Sequence, residues 1–421
     1  MDKKLLNFPK DFLWGAATSS HQVEGGTDNN WSEWEKSNAE RLASEAENKW
    51  QSWQKDKFPE MFLLENYISG RACDHYNRYE EDFDLIKTGG HNAYRFSIEW
   101  SRIEPKEGKF DEKEIEHYRQ VLLALKKRGI VPFVTLWHWT NPLWLENNSQ
   151  GCHRSQFPFY FSRYARYVAE QLGDLVEFWI TLNEPTSVIG SGFVTGVWPP
   201  GRKNYFAAWR LYGIFARAHK LAYQEIHAVS ISAKVGFANI LQSFEAYREN
   251  HWFDKLMMRA GIYIANKKLL KATLGHNDFL TVQYYFHNRF KFPRKIHLGD
   301  KPISDLNWEI FPRGIYYILN WIKKYNLPIY ITENGLADAD DNQREQFIRD
   351  HLFWIHQAIS EGADVRGYFH WSLMDNFEWD KGFWPRFGLI GIDYETLERK
   401  PRPSFHAYKK IIEHNGIEVE N

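Results

Sequence analysis

Eight short runs rich in β-branched and aromatic residues recur along the 421-residue chain, at 12–18, 92–98, 131–137, 177–183, 234–240, 279–285, 328–334 and 365–371, each followed by a stretch with helical periodicity. Successive runs begin between 37 and 80 residues apart. Every gap exceeds the dozen or so residues that a parallel crossover needs, so the spacing predicts parallel strands. Tyr76, Tyr79, Phe83 and Ile86 share one helical face in the first gap, as do Ile115, Tyr118, Leu122 and Leu125 in the second. Further helices are expected over 157–173, 205–229, 250–271, 311–325, 342–361 and 402–414. The alternation predicts an α/β fold, a (β/α)8 TIM barrel, with residues 1–421 forming a single domain whose βα loops are expanded. A doubly wound open sheet is the rival. It normally carries a Gly-rich dinucleotide fingerprint after its first strand, and SSHQVEGG, which stands there in this chain, is not one.

Charge narrows the function. With 53 Lys+Arg against 54 Asp+Glu the net charge is −1, and no basic tail supplies the positive excess that a nucleic-acid partner draws on. Cys73 and Cys152 make neither a disulfide framework nor a zinc motif. Asn7, Pro9, Lys10 and Asp11 interrupt the N-terminal apolar stretch before a signal-peptide core can form, and no run of 18 apolar residues occurs. A cytoplasmic protein without a transmembrane segment is expected; a homo-oligomer and peripheral membrane contact both stay open. Aromatic residues, at 17%, exceed what packing alone calls for, so flat apolar faces are available to a ligand.

Barrel enzymes carry their chemistry where strands end at the C-terminal face. Gln22 follows the first strand here and Arg95 lies on the second. His138 and Trp139 end the third, Asn183 and Glu184 the fourth, Tyr285 the sixth and Glu333 the seventh. Trp371, Glu378 and Trp379 belong to the eighth. Carboxyls from strands four and seven face one another across such a barrel. Glycoside hydrolysis needs that pair, one carboxyl to protonate a poor leaving group and an ionised one to attack the anomeric carbon. Arg95 would hold the nucleophile ionised and Tyr285 could donate a hydrogen bond to it. Each feature alone has a plainer reading: Asn-Glu-Pro and Glu-Asn-Gly as turns, Arg95 in a structural ion pair, His138 as a core histidine. Their coincidence at one end of different strands favours the site. A catalytically silent carbohydrate-binding barrel is one alternative. A metal-assisted hydrolase is another, disfavoured because no His/Asp ligands cluster at strand ends.

Taken together, FLWGAATSSHQVEG, ACDHYNRYEEDFDLIKTGGHNAYRFSIEWSRIEP, LWHWTNPLWL, TLNEP, WEIFPRGI, YITENG, HWSLMDNFEW and RFGLIGIDYETLERKPRPS make the chain resemble glycoside hydrolase family 1, the retaining β-glucosidases and β-galactosidases. The resemblance implies that Glu184 is the general acid/base and Glu333 the nucleophile. Asn183 would bind the sugar 2-hydroxyl. Gln22, His138, Glu378 and Trp379 would bind the other hydroxyls, with Trp371 as stacking floor and Phe387 closing the pocket. No metal or organic cofactor is implied, and the partner is a small carbohydrate. Glu378 stands where phosphoglycosidases of the family carry a small residue, which implies unphosphorylated β-D-glucosides; β-galactosidase, β-mannosidase or transglycosylase activity is the alternative. Retention of Glu184, which thioglucoside-cleaving relatives replace, implies O-glycosides. Gln283 departs from the usual Asn, and residues 35–69 match nothing in the family. They are expected to form a long loop over the aglycone entrance, with tryptophans between Trp31 and Trp53 lining an apolar channel.

Overall fold

All eight runs form strands in the computed structural model, which describes residues 3–149 and 151–420. We number them β1 (Leu13–Ala17), β2 (Ala93–Ser97), β3 (Val131–Trp137), β4 (Phe178–Asn183), β5 (Lys234–Ala238), β6 (Leu280–Gln283), β7 (Ile329–Asn334) and β8 (Val365–Trp371). Every pairing between them is parallel, and the spatial order β5-β4-β3-β2-β1-β8-β7-β6 follows the chain around a ring. The ring closes just past the ends of β5 and β6, where Ile240 bridges Gln283 and Gln283 N–H donates to Asn239 O at 2.8 Å. These two strands stop two residues short of the predicted ends. The hydroxyl of Thr281 takes the Asn239 N–H at 3.0 Å, so a side chain replaces the ladder acceptor there.

The barrel interior is aromatic. Phe133 stacks on Phe178 with centroids 4.3 Å apart and meets Phe369 and Tyr330 at 4.8 and 5.1 Å. Room for this comes from small residues on neighbouring strands; a Cβ on Gly15 would stand 2.6 Å from the Phe369 ring. Much of the aromatic surplus is therefore core packing, which the composition alone could not assign.

The helices form where periodicity and caps agree. In Glu112–Lys127 the Asp111 carboxylate accepts from Lys113 N–H at 2.9 Å, Glu112 and Glu114 occupy the first turn, and Ile115, Tyr118, Leu122 and Leu125 are buried. The loop expected over residues 35–69 is instead helical. A helix at Asn30–Lys49 starts from a capping box in which Asn29 and Ser32 bond each other's N–H groups at 3.0 and 2.9 Å. It buries Trp31, Glu35, Ala39, Leu42 and Ala46, a spacing of three or four residues that the dense charge of the segment masks. Buried Glu35 is satisfied by His21 and by Ser69 N–H and hydroxyl, at 2.6 to 2.9 Å. The predicted helix at 250–271 appears as Trp252–Gly261 running through a wider turn, Ile262–Lys267, into Lys268–Thr273. No helix among the described residues is long and apolar enough to cross a membrane.

Candidate active site

Irregular backbone aims the side chains at the C-terminal mouth. Register slips between Ile180 and Asn183 on β4 and between Ile331 and Glu333 on β7 turn both strand ends toward the centre. Glu184, the next residue after β4, adopts φ +40°, a left-handed conformation costing about 1–3 kcal/mol for a non-glycine residue. Its N–H remains tied to Ala238 O at 3.0 Å on the neighbouring strand.

Around these two carboxyls the partners differ sharply. Glu333 Oε1 accepts from Arg95 Nη1, and Glu333 Oε2 accepts from the Tyr285 hydroxyl at 2.8 Å. Arg95 is wholly buried, and its other groups donate to Asn183 Oδ1 at 2.6 Å and Thr135 Oγ1 at 3.1 Å. A buried guanidinium is stabilised only by this degree of pairing. Among the described residues Glu184 has one side-chain hydrogen-bond partner, the Ser187 hydroxyl, which donates to Oε2 at 2.7 Å. Gln283 donates to Asn183 Oδ1 at 2.9 Å, so the unusual amide on β6 joins the network through Asn183. Asn183 in turn donates to His138 Nε2 at 3.0 Å, which leaves the imidazole proton on Nδ1, an atom without an acceptor among the described residues.

These contacts set the acidities. Burial and the neighbouring Glu333 charge push Glu184 well above the ordinary carboxyl range. Burial also raises Glu333, but the Arg95 guanidinium and the Tyr285 hydroxyl oppose it, so Glu333 is the more acidic of the two. Glu378 is pushed up to about 8, chiefly by burial. Burial and the Arg95 charge keep His138 neutral. Asp380 is the exception: burial opposes its ionisation, yet Lys381 and Lys49 hold it well below the usual range, and Trp198 donates to it at 2.7 Å.

The cavity at this mouth has a volume of about 200 Å³. Of the residues expected at the site, Glu184, Glu333, Tyr285, His138, Trp371, Glu378, Trp379 and Phe387 line it. Arg95, Asn183 and Gln22 stand behind that wall; Gln22 donates to Asn376 Oδ1 at 3.0 Å and Phe377 O at 2.8 Å. The tryptophans between Trp31 and Trp53 do not line the cavity, which corrects the expected channel. Trp31 packs behind Trp379 and Trp198 at 4.5 and 5.5 Å, Trp50 packs on Trp384 at 5.0 Å, and Trp53 lies at the surface. Their place is taken by Trp139, Trp198 and Trp308, with Ser187, Ser191, Ile240 and Phe286. Sequence reasoning missed all but Trp139: nothing in VWPPG marks a cavity wall, and Trp308, the first residue of WEIFPRGI, carried no sign that it faces the cavity.

Two carboxyls of unequal acidity at the ends of different strands match the pairing of a proton donor with a nucleophile. An acetal is cleaved by that combination, and the barrel is on this ground a glycoside hydrolase. The sequence profile described as Glycosyl hydrolase family 1 matches residues 5–256 and 275–417. Beta-glucosidase A of Thermotoga maritima is 34% identical over 458 residues, covering 98% of this chain and 99% of that protein. A beta-galactosidase of Saccharolobus solfataricus is 31% identical, with 99% of this chain and 97% of the relative covered. Among solved structures, a beta-glycosidase from Pyrococcus horikoshii superposes with a TM-score of 0.87 at 35% identity, over 98% of this chain and 96% of its own. The chain belongs to glycosyl hydrolase family 1, a family of retaining glycosidases, and is an enzyme of that class.

Proposed function

We propose that the enzyme hydrolyses unphosphorylated β-D-glucosides by double displacement, with Glu333 as nucleophile and Glu184 as acid/base. The observation that carries this assignment is the unequal pairing of the two carboxyls: Glu333 is bonded by Arg95 and Tyr285, Glu184 by one neutral hydroxyl. In the first step a Glu333 oxygen forms a bond to C1, the bond from C1 to the aglycone oxygen breaks, and Glu184 transfers its proton to that oxygen. Water then attacks C1 and gives a proton to the Glu184 carboxylate, and Glu333 departs as carboxylate with the anomeric configuration retained. Stabilisation of Glu333 by fixed donors costs little reorganisation during either step.

Binding of the sugar is supported by unpaired buried atoms at the wall. His138 Nδ1–H and Glu378 Oε2 find no partner among the described residues, and both lie beside Trp371 and Trp379, whose faces suit the apolar side of a pyranose. A carboxyl at Glu378 accepts from or donates to sugar hydroxyls, and once ionised above about pH 8 it would also repel a phosphate. Replacing Glu333 with Gly tests the assignment: turnover of nitrophenyl β-glucoside should fall by about 10⁴-fold or more and return when azide fills the gap, giving a glycosyl azide of inverted configuration. Retained activity, or product of inverted configuration from the wild-type enzyme by NMR, would refute it.

A further inference from the structure

Surface helices turn their apolar stripe toward the core. Two helices here carry a second apolar stripe facing outward. Along Trp252–Gly261 and its continuation to Thr273, the exposed positions are Trp252, Leu256, Arg259, Ala260, Tyr263, Ile264 and Lys271, whose intervals keep them on one face. Trp252 is 62% exposed and Leu256 54%. The helix Tyr205–Val229 presents Tyr205, Phe206 and Trp209 at its first turns, exposed by 73, 72 and 59%. The two stripes join: the Lys268 ammonium lies over the Trp209 ring, and the Tyr212 hydroxyl donates to Ile264 O at 3.2 Å. Most of the Trp252–Thr273 rod, residues 257–273, falls between the two stretches matched by the family profile.

Charge on these segments is one-sided in a chain whose net charge is −1. From 192 to 224 the chain carries Arg202, Lys203, Arg210, Arg217 and Lys220 and no acidic residue, and from 255 to 275 it carries Lys255, Arg259, Lys267, Lys268 and Lys271, again without an acid. We propose that this face docks on an anionic lipid bilayer, with Trp209, Trp252 and Leu256 at headgroup depth and Arg210, Arg259 and Lys271 against lipid phosphates. Indole and tyrosine rings favour that interface, an outward apolar stripe gives the buried area, and neighbouring cations add attraction to anionic headgroups. A second copy would bring two basic faces together. A nucleic acid would leave Leu256 and Ile264 without a use. The segment 189–198 links the face to the cavity, since Ser191 and Trp198 line the cavity while Val194 and Val197 are exposed. Docking would therefore hold the mouth close to the bilayer.

Cosedimentation of the full chain with vesicles tests this. Binding to phosphatidylcholine vesicles containing about one third phosphatidylglycerol should exceed binding to pure phosphatidylcholine by about 10-fold and weaken as salt is raised. The triple variant Trp209→Ser, Trp252→Ser, Leu256→Ser should lose about 10-fold in vesicle binding while turnover of nitrophenyl β-glucoside, which reports its fold, stays unchanged. Equal binding of wild type to both vesicles, or of the variant and wild type to the anionic one, would overturn the proposal. So would a solution dimer that the triple variant dissociates, or retention on duplex DNA with none on vesicles.

Discussion

The cavity has two unlike walls. Around Glu333, polar groups from several strand ends are tied to one another: Arg95 to Glu333 and Asn183, Asn183 to His138, and Tyr285 to Glu333. On the side of the segments after β4 and β5, Glu184 meets a single hydroxyl, and Trp198, Ile240 and Ser191 complete the surface. Two chemically identical carboxyls thus acquire different acidities from their partners rather than from their burial, which is nearly the same at 4% exposure each. On the proposed assignment, charge is pinned where a bond to carbon must form and left adjustable where a proton must be exchanged.

Erasing the contrast at its source should have the largest effect. Arg95→Met leaves burial to raise Glu333 unopposed by a guanidinium, so the carboxylate forms only at higher pH. Turnover should fall by about 10³-fold, and the acid limb of the kcat/KM profile should move upward, as a pH–rate series would record. Glu378 tests the sugar end of the cavity. Its folded-state carboxyl keeps a proton up to about pH 8, whereas the unfolded carboxyl loses it near pH 4.3. The folded state holds more protons between those values, so stability falls as pH rises through the window. Glu378→Gln should flatten that slope in thermal unfolding and lower glucoside turnover by roughly 10- to 100-fold. The smallest expected effect sharpens the comparison from the other wall. The Ser187 hydroxyl lowers the Glu184 pKa, so Ser187→Ala should move the basic limb to higher pH. It should cost less than about 10-fold on glycosides with poor leaving groups and nothing measurable on dinitrophenyl glucoside, which needs no proton.

The strand-end residues were legible because a closed parallel barrel brings the C-terminal ends of its strands to one mouth, whatever the intervening length. Arg95, Glu184, Tyr285 and Glu333 could be placed together from that rule, although β4 and β7 are far apart in sequence. The helix at Asn30–Lys49 was legible in principle, since its buried positions keep helical spacing, but Glu35 is one of them and a charged residue normally reads as exposed. Ser187 gave no signal, because a serine three residues after a carboxylate looks like any turn residue until the chain's left-handed step at Glu184 turns the two side chains together.

Local pattern, read without coordinates, determined the number of barrel strands, their parallel sense and which acids stand at their ends, since periodicity and crossover length are properties of the chain itself. Tertiary structure alone decided which tryptophans face the cavity and which brace it, whether a second apolar stripe is covered, and how unequal the two acids are. Each of these depends on neighbours brought from distant segments, and a side chain's accessible faces and proton affinity are set by what surrounds it.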